Sequence, residues 1–560
     1  MAEERISPIQ RRLADISREA EERDAARRAT RAGSPYIDLR KVPVGMDALR
    51  LVPEATAKDA RVASIELKVR DVALVAYDPG APKTKAVVDD LVRRKYVVKL
   101  FTVSLNGLEQ VWQMYKFAPE DTEEITGKFE IGRVEALLQS LVSLQLVGKE
   151  VEKLNFQKIT TTDLFEIILA GALGTHASDI HFESEEESAR IRFRLDGLLH
   201  DVFTALPIKN YDSLLSRIKL LSGLKINVRG EPQDGRFTIG LSAKEIEVRV
   251  SIIPSEFGEA VVMRILDPSS ILVDLPKLGL RPDSLALVEA ELAKPNGLIL
   301  NTGPTGSGKT TTLYAFLRRI VDPETKIITV EDPIEYRVLG IEQTQVNPDV
   351  GYTFAGGLRA ILRQDPDAIL IGEIRDKETA DIALQASLTG HLVFSTLHTN
   401  DAVGAVPRLV DLGVRPATVG PALTLVIAQR LVRTFCLKCR VPADPNPKLI
   451  AKLAEFVGHL PAHVDRAPYE NPKIMRAVGC EACSNLGYKG RIGIFEFFHG
   501  GPELEETILE EVSEVSLKKL AKKQEMVTMQ EDGVLKVILG ETDISEVEKV
   551  TGQVPWLHGK

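Results

Sequence analysis

The run GLILNTGPTGSGKTTTLYAFLRRI, residues 297–320, governs how the rest of the chain is read. Leu298 to Leu300 form a short apolar stretch with the character of a buried strand, and a helical run follows Thr310. Between them, Gly303-Pro304-Thr305-Gly306-Ser307-Gly308-Lys309-Thr310 satisfies the spacing of a phosphate-binding loop in the strand-before, helix-after context that such a loop requires. Glycines at 303, 306 and 308 let the backbone wrap a phosphate chain with its amide hydrogens turned inward, and the next helix offers its positive N-terminal end. Lys309 is expected to reach the β- and γ-phosphates of ATP and Thr310 to ligate Mg2+, with Thr311 completing the nucleotide-binding set.

Hydrolysis further needs a group that orients or deprotonates water and one that manages Mg2+. Carboxylates at strand ends are the candidates. KIITV (326–330) runs into Glu331-Asp332-Pro333-Ile334-Glu335, and AILIGE (368–373) ends in Glu373 before Ile374-Arg375-Asp376. Both clusters fall at carboxyl ends of parallel strands, the edge where open α/β sheets place ligands. Asp376 reads equally well as the cap of the next helix. A third strand, LVFST, ends near His398 with Thr396, Thr399 and Asn400 beside it. By chemistry alone a lone histidine is as often structural as functional.

At 560 residues the chain holds three to five domains, and 44% hydrophobic with 27% charged residues excludes collagen-like and wholly disordered classes. The 71 basic and 80 acidic side chains leave a net charge of −9, so no global cationic field calls for nucleic acid, and none is expected as a partner. No apolar stretch approaches the ~20 residues of a spanning helix, and the N-terminus lacks the apolar core of a signal peptide. A cytosolic protein is expected. Its four cysteines form two CxxC knuckles, Cys436/Cys439 and Cys480/Cys483, suited to a closed tetrahedral Zn2+ site of structural purpose. Buried or disulfide-bonded cysteines are the competing reading. The 40 residues between the knuckles require an inserted lobe with a helix near 449–457.

Residues 1–34 are charged, with Ile6, Ile9, Leu13, Ile16 and Ala20 at helical spacing; a solvated terminal helix is favoured over a docking helix. A small α/β domain follows over 35–116, then a linker and helix over 117–155. A mixed α/β domain spans 156–270, its first helix capped by the threonines near 161. The motor domain spans 275–435, the tetracysteine module 436–497 and a helical region 498–560. In that last region Lys518, Lys519, Lys522 and Lys523 are balanced by Glu505, Glu506, Glu510, Glu511 and Glu514, which describes a solvated helix face.

Taken together, GPTGSGKTTT, EDPIEY, LRAILRQDPDAILIGEIRD, TGHLVFSTLHTNDA and the paired CxxC resemble the secretion ATPase family that drives type II secretion and type IV pilus assembly, over about 177–551. The resemblance implies an α/β fold: a RecA-like P-loop ATPase domain with a preceding mixed α/β domain, a small N-terminal α/β domain, a zinc-binding insertion and C-terminal helices. It makes the four segments the Walker A, aspartate, Walker B and histidine boxes. Glu335 becomes the general base, Glu373 the carboxylate near Mg2+ and His398 a residue facing the nucleotide, which with Lys309 are the catalytic set. It implies a homohexamer in which the 156–270 domain helps close the nucleotide site, through HASDIHFE, RLDG, PQDGRF and EVRVS. Arg236, Arg249 and Arg264 are candidates for its phosphate contacts, and Arg359 and Arg363 are candidates within the motor; a structural ion pair competes for each.

Residues 35–116 more loosely resemble the family's docking domain. The implied partners are an inner-membrane platform protein and a membrane-anchored adaptor, with the protein peripheral on the cytoplasmic face of that membrane. A pilus-retraction or DNA-translocating ATPase is the alternative within the superfamily, disfavoured by the zinc module and the acidic charge. A non-hydrolysing nucleotide-gated scaffold is the alternative outside it, disfavoured by Glu335 and Glu373.

Overall fold

The computed structural model describes residues 8–42, 44–68, 70–117, 128–130, 132–242, 244–268 and 273–558. The chain divides into two units between Ile265 and Leu266.

In the first unit, strands β1 (Val62–Lys68), β2 (Asp71–Ala76) and β3 (Val97–Thr102) form a small sheet, with β1 antiparallel and β3 parallel to β2. A parallel pair needs a crossover, supplied by the helix Pro82–Arg93 with its proline in the first turn. The N-terminal helix runs from Pro8 to Ala32. Ile6 lies outside the described residues, as do the side chains of Ile9, Leu13 and Ile16; Ala20 is exposed. Toward its C-terminal end, Ala25 and Ala29 are buried, and Glu22 accepts hydrogen bonds from Tyr36 (2.7 Å) and Ser104 (2.7 Å). This half of the helix is thus fastened to the domain by small residues and one carboxylate.

A second sheet of this unit contains β4 (Lys128–Glu130), β5 (Asp179–Ser184), β6 (Ser188–Leu195), β7 (Leu198–Pro207), β8 (Gln233–Leu241), β9 (Lys244–Ser255) and β10 (Gly258–Leu266), in the order β4-β8-β9-β10-β5-β6-β7. Alternation along these strands buries Ile180, Phe182, Ile191, Phe193, Val248 and Val250 and turns charged residues to the opposite face. Helices Thr161–Gly174 and Ile208–Leu221 meet the buried face, through ring contacts such as Phe165 with Phe237 and Phe182 with Tyr211. Thr160 caps the first of them, accepting the Asp163 N–H at 3.0 Å.

The second unit is built on β11 (Gly297–Thr302), β12 (Ile327–Glu331), β13 (Glu342–Gln345), β14 (Ala368–Ile371), β15 (Leu392–Leu397) and β16 (Leu423–Phe435). After a two-stranded ribbon of β17 (Val441–Pro442) and β18 (Met475–Arg476), β19 (Tyr488–His499) closes the sheet. Its order is β13-β12-β14-β15-β11-β16-β19, parallel except for β19. Every residue of β11, β12, β14 and β15 is buried, as a parallel sheet covered on both faces demands. β12 extends to Glu331, whereas β14 stops at Ile371, so Glu373 stands on the loop two residues past the strand.

The insertion between the knuckles carries the helix Pro447–Gly458. Its Leu453 and Val457 pack with Val527, Val534, Leu535 and Val554 of the C-terminal helices, and Phe456 stacks on Trp556 at 5.0 Å. No described helix is long and apolar enough to cross a membrane.

Candidate functional site

The loop after β11 wraps as its glycines require. Gly303 and Gly308 have φ of +151° and +90°, and a Cβ would lie 2.6 Å from the Gln429 carbonyl oxygen at 303 and 2.8 Å from Gln429 Nε2 at 308. Pro304, Thr305 and Gly306 are exposed at its tip, and Thr310 and Thr311 are half-buried in the first helical turn. Ser307 Oγ is buried with no hydrogen-bond partner among the described residues. Lys309 Nζ donates to the carbonyls of Gly303 (2.7 Å) and Pro304 (3.0 Å). Burial, helped by the Arg430 charge and opposed by Glu373, brings the Lys309 ammonium down to about 8. An orphaned hydroxyl, glycine-only turns and a cation folded onto its own loop fit a phosphate chain.

Beneath the loop lie Gln429 and Arg430, which the sequence reading did not single out. Gln429 Oε1 accepts from Asn301 (3.0 Å) and Thr312 (2.9 Å), which joins β16 to β11 and to the helix Lys309–Ile320. The buried Arg430 guanidinium donates to the carbonyls of Gln429 (3.0 Å) and Asn400 (2.9 Å). Their signal in the sequence is two adjacent polar residues inside the apolar run of a central strand.

The acidic tips converge along the same carboxyl edge. The order of strands places the loop of Glu335 after β12, Glu373 after β14, His398 after β15 and the phosphate loop after β11. Glu373 is 14% exposed; one oxygen lies 3.3 Å from His398 Nε2 and the other pairs with Arg375. Asp376 caps the helix Lys377–Leu388 by accepting the Thr379 N–H at 2.8 Å, the structural reading of that residue. Glu331 and Glu335, four residues apart in sequence, differ in setting: Glu331 is buried and bonded to Tyr314, Thr329 and Gln343, while Glu335 is half-buried on the following loop. Burial raises the Glu331 carboxyl above its ordinary range against those hydrogen bonds.

Of the motor arginines, Arg359 is exposed and pairs with Glu378, and Arg363 donates to the Arg359 carbonyl at 2.9 Å. In the first unit, Arg236 on β8 lies directly opposite Arg249 on β9. The two-residue turn at 256–257 carries that row toward Arg264 on β10, which faces Asp179 and pairs with it at 2.9 Å. Asp179 also receives Arg194 at 3.2 Å. Like charges placed opposite each other destabilise a sheet unless an anion answers them, and Glu247 answers Arg249 at 3.3 Å.

The four cysteines come together, their sulfurs all within 4.8 Å of one another. Measured Sγ–Sγ separations are 4.0 Å for Cys436/Cys480, 3.8 Å for Cys439/Cys483 and 3.8 Å for Cys480/Cys483. A tetrahedron with Zn–S bonds of about 2.3 Å has edges of about 3.8 Å, so the donor set fits zinc. Burial alone would push the Cys483 thiol up, but the N–H groups of Cys480 and Gly487 aimed at its sulfur bring it down to about 7, favouring the thiolate that a metal binds.

Residues 156–549 match a family model described as Type II/IV secretion system protein. The chain is 44% identical to type II secretion system protein E of Aeromonas hydrophila over 389 residues, 69% of this chain and 75% of that protein. It is 37% identical to the type IV pilus assembly ATPase PilB of Myxococcus xanthus over 519 residues, 92% of this chain and 88% of that protein. An X-ray structure of the Legionella pneumophila ATPase DotB shares the fold, with a TM-score of 0.50 at 21% identity, covering 70% of this chain and 96% of DotB. By the extent of the family match and these identities, the chain belongs to the Type II/IV secretion system protein family.

Proposed function

We propose that this protein is a hexameric Mg-ATP hydrolase that powers assembly of a type IV pilus or type II secretion pseudopilus. The observation that carries the reading is the convergence of Lys309, Glu373 and His398 at one sheet edge, with Glu373 and His398 3.3 Å apart and Lys309 within the field of Glu373. Lys309 leaves its own loop carbonyls for the β- and γ-phosphates, and the loop amides and Ser307 hydroxyl hold the chain of phosphates. Thr310 and Glu373 would hold Mg2+, which supplies charge neutralisation at the phosphates when bound. Glu335 takes the proton of a water that attacks the γ-phosphorus; the bond to the β-bridging oxygen breaks, giving ADP and phosphate. His398 fixes the plane of Glu373.

Arg236, Arg249 and Arg264 complete the site of a neighbouring copy, supported by the opposition of Arg236 and Arg249 across β8 and β9. Movement of the 156–270 domain against the motor is the mechanical output, delivered through residues 35–116 and an adaptor to an inner-membrane platform protein on its cytoplasmic face. The match to the Myxococcus pilus assembly ATPase spans 92% of the chain against 69% for the Aeromonas type II protein, which favours a pilus as the load. Zinc at the four cysteines is structural, since protein sulfurs fill all four positions.

The test is phosphate release by the purified full-length protein beside Lys309→Ala and Glu335→Gln. Loss in both variants is expected; equal rates in all three refute the motor.

A further inference from the structure

We infer that Tyr314 is a positioning residue that ties the loop bearing Glu335 to the phosphate-binding helix. The inference rests on the reading of Glu335 as the base. Tyr314 follows Thr310 by four residues, so it stands on the same face of the helix Lys309–Ile320, one turn deeper, and is 1% exposed. Its hydroxyl donates to the Glu331 carboxylate, and its oxygen receives the Gln343 side-chain amide at 3.4 Å. A phenol has one proton to give and two lone pairs to offer. Here the proton goes to Glu331 and a lone pair to the Gln343 amide, so the hydroxyl joins the helix to the side chain that holds the loop of Glu335.

Glu331 is what fixes that assignment. It is 3% exposed and accepts from Thr329 Oγ1 (2.6 Å) and Gln343 Nε2 (3.1 Å) besides Tyr314, so both of its oxygens are hydrogen-bonded. Gln343 on the edge strand β13 completes the clamp, donating to the Tyr336 carbonyl at 2.8 Å and accepting the Val338 N–H at 2.8 Å. The loop over 336–338 is therefore gripped by an amide at the sheet edge, and that amide and Glu331 are tied to the helix through the Tyr314 hydroxyl. A phenylalanine would supply the same ring to the core; only the hydroxyl reaches Glu331 and Gln343. A base displaced by about 1 Å loses roughly a hundredfold in rate without any loss of substrate binding.

The test compares Tyr314→Phe, Glu335→Gln and the double variant of the full-length protein for steady-state ATP hydrolysis and, separately, for binding of ATP. Tyr314→Phe is expected to lower kcat by about 10- to 100-fold while KM and ATP affinity stay within about threefold, and the double variant to be no slower than Glu335→Gln alone. A kcat within about twofold of the parent for Tyr314→Phe, or a double variant slower than Glu335→Gln by the full Tyr314→Phe factor, overturns the role. Unchanged turnover in Glu335→Gln by itself would instead remove the base assignment, a failure recognisable without reference to Tyr314. Should Tyr314→Phe not fold, Gln343→Ala on the partly exposed edge strand releases the same loop at the amide itself. It is expected to show the same loss confined to kcat, and unchanged turnover there overturns the clamp.

Discussion

His398 Nε2 lies 3.3 Å from Glu373 Oε2, joining the tip of β15 to the loop after its sheet neighbour β14. The second carboxylate oxygen is taken by Arg375, so Glu373 is oriented from two sides although it belongs to no regular element. Thr396 secures the same loop by donating to the Gly372 carbonyl at 2.7 Å. On the proposed function, this contact makes His398 the residue that orients the Glu373 carboxylate.

Replacing His398 by alanine is expected to lower turnover by about tenfold or more while leaving ATP affinity within severalfold, because the group acts on Glu373 and not on the phosphate cradle. Arg375 holds the other carboxylate oxygen from a side chain about as exposed as that of His398 (61% against 53%), so Arg375→Ala is expected to lower turnover by a comparable factor. Steady-state hydrolysis with a parallel nucleotide-binding titration separates the two effects.

Lys309 predicts a pH dependence of binding. With its ammonium at about 8 in the free protein, the charge that phosphates require is present at pH 7 and is lost as pH rises through 8, so binding ATP above that point takes up a proton. Affinity is expected to fall toward tenfold per pH unit over that range, by calorimetric titration in buffers of differing ionisation enthalpy. In Lys309→Ala the affinity should be weaker throughout and the slope should vanish.

The carboxyl edge of the motor sheet was legible because its parts are local: a loop whose residues are contiguous, and apolar runs that end in carboxylates or histidine. What periodicity and motif cannot supply is partnership across long separations. Gln429 meets Asn301 and Thr312 from more than a hundred residues away, and nothing in IAQRLV names those partners. Within EDPIEY, Glu331 and Glu335 are chemically identical, and only the end of β12 divides a buried structural carboxylate from one on the loop. The first helix illustrates the reverse case, since Ala25 and Ala29 bury themselves without forming any apolar stripe that a periodicity count would notice.

Arg236 and Arg264 should separate under mutation. Arg236 faces Arg249 across the sheet, and Glu247 already answers Arg249 at 3.3 Å, so Arg236→Ala is expected to leave stability within about 0.5 kcal/mol while lowering turnover by about tenfold or more. Arg264→Ala removes one of two arginine partners of the buried Asp179, with Arg194 and the Ser178 hydroxyl remaining, and should cost about 1 kcal/mol. Urea midpoints beside hydrolysis rates separate loss of a phosphate contact, expected for both variants, from loss of the Asp179 ion pair, expected for Arg264→Ala alone.

Metal analysis of the reduced protein should find one zinc per chain. Chelation, or Cys439→Ser, is expected to lower the melting midpoint of the second unit by roughly 10 °C, the shift that a loss of about 3–4 kcal/mol produces at this size. Nucleotide binding at the phosphate loop should survive, because the cysteines secure the inserted lobe and not the sheet edge. Parallel loss of ATP binding would show that the lobe and the motor fold as one.

Acid stability reports on the C-terminal helices. Glu546, on the helix Ile544–Thr551, is 7% exposed and is held by Arg433 of β16 at 2.7 Å and Lys549 at 2.6 Å. Burial opposes ionisation, yet these two cations pull its carboxyl from 4.5 down to about 2. A depressed carboxyl stabilises the fold fully above its unfolded value and loses that contribution as pH falls through the folded one, so the window lies between 4.5 and about 2. A shift of that size corresponds to on the order of 3 kcal/mol. Glu546→Gln should therefore destabilise the protein at pH 7, and the gap between the two proteins should narrow as pH falls from 4.5 toward about 2, in denaturant titrations at stepped pH. A gap that stays constant across that window would show that the ion pair with Arg433 contributes packing and not charge.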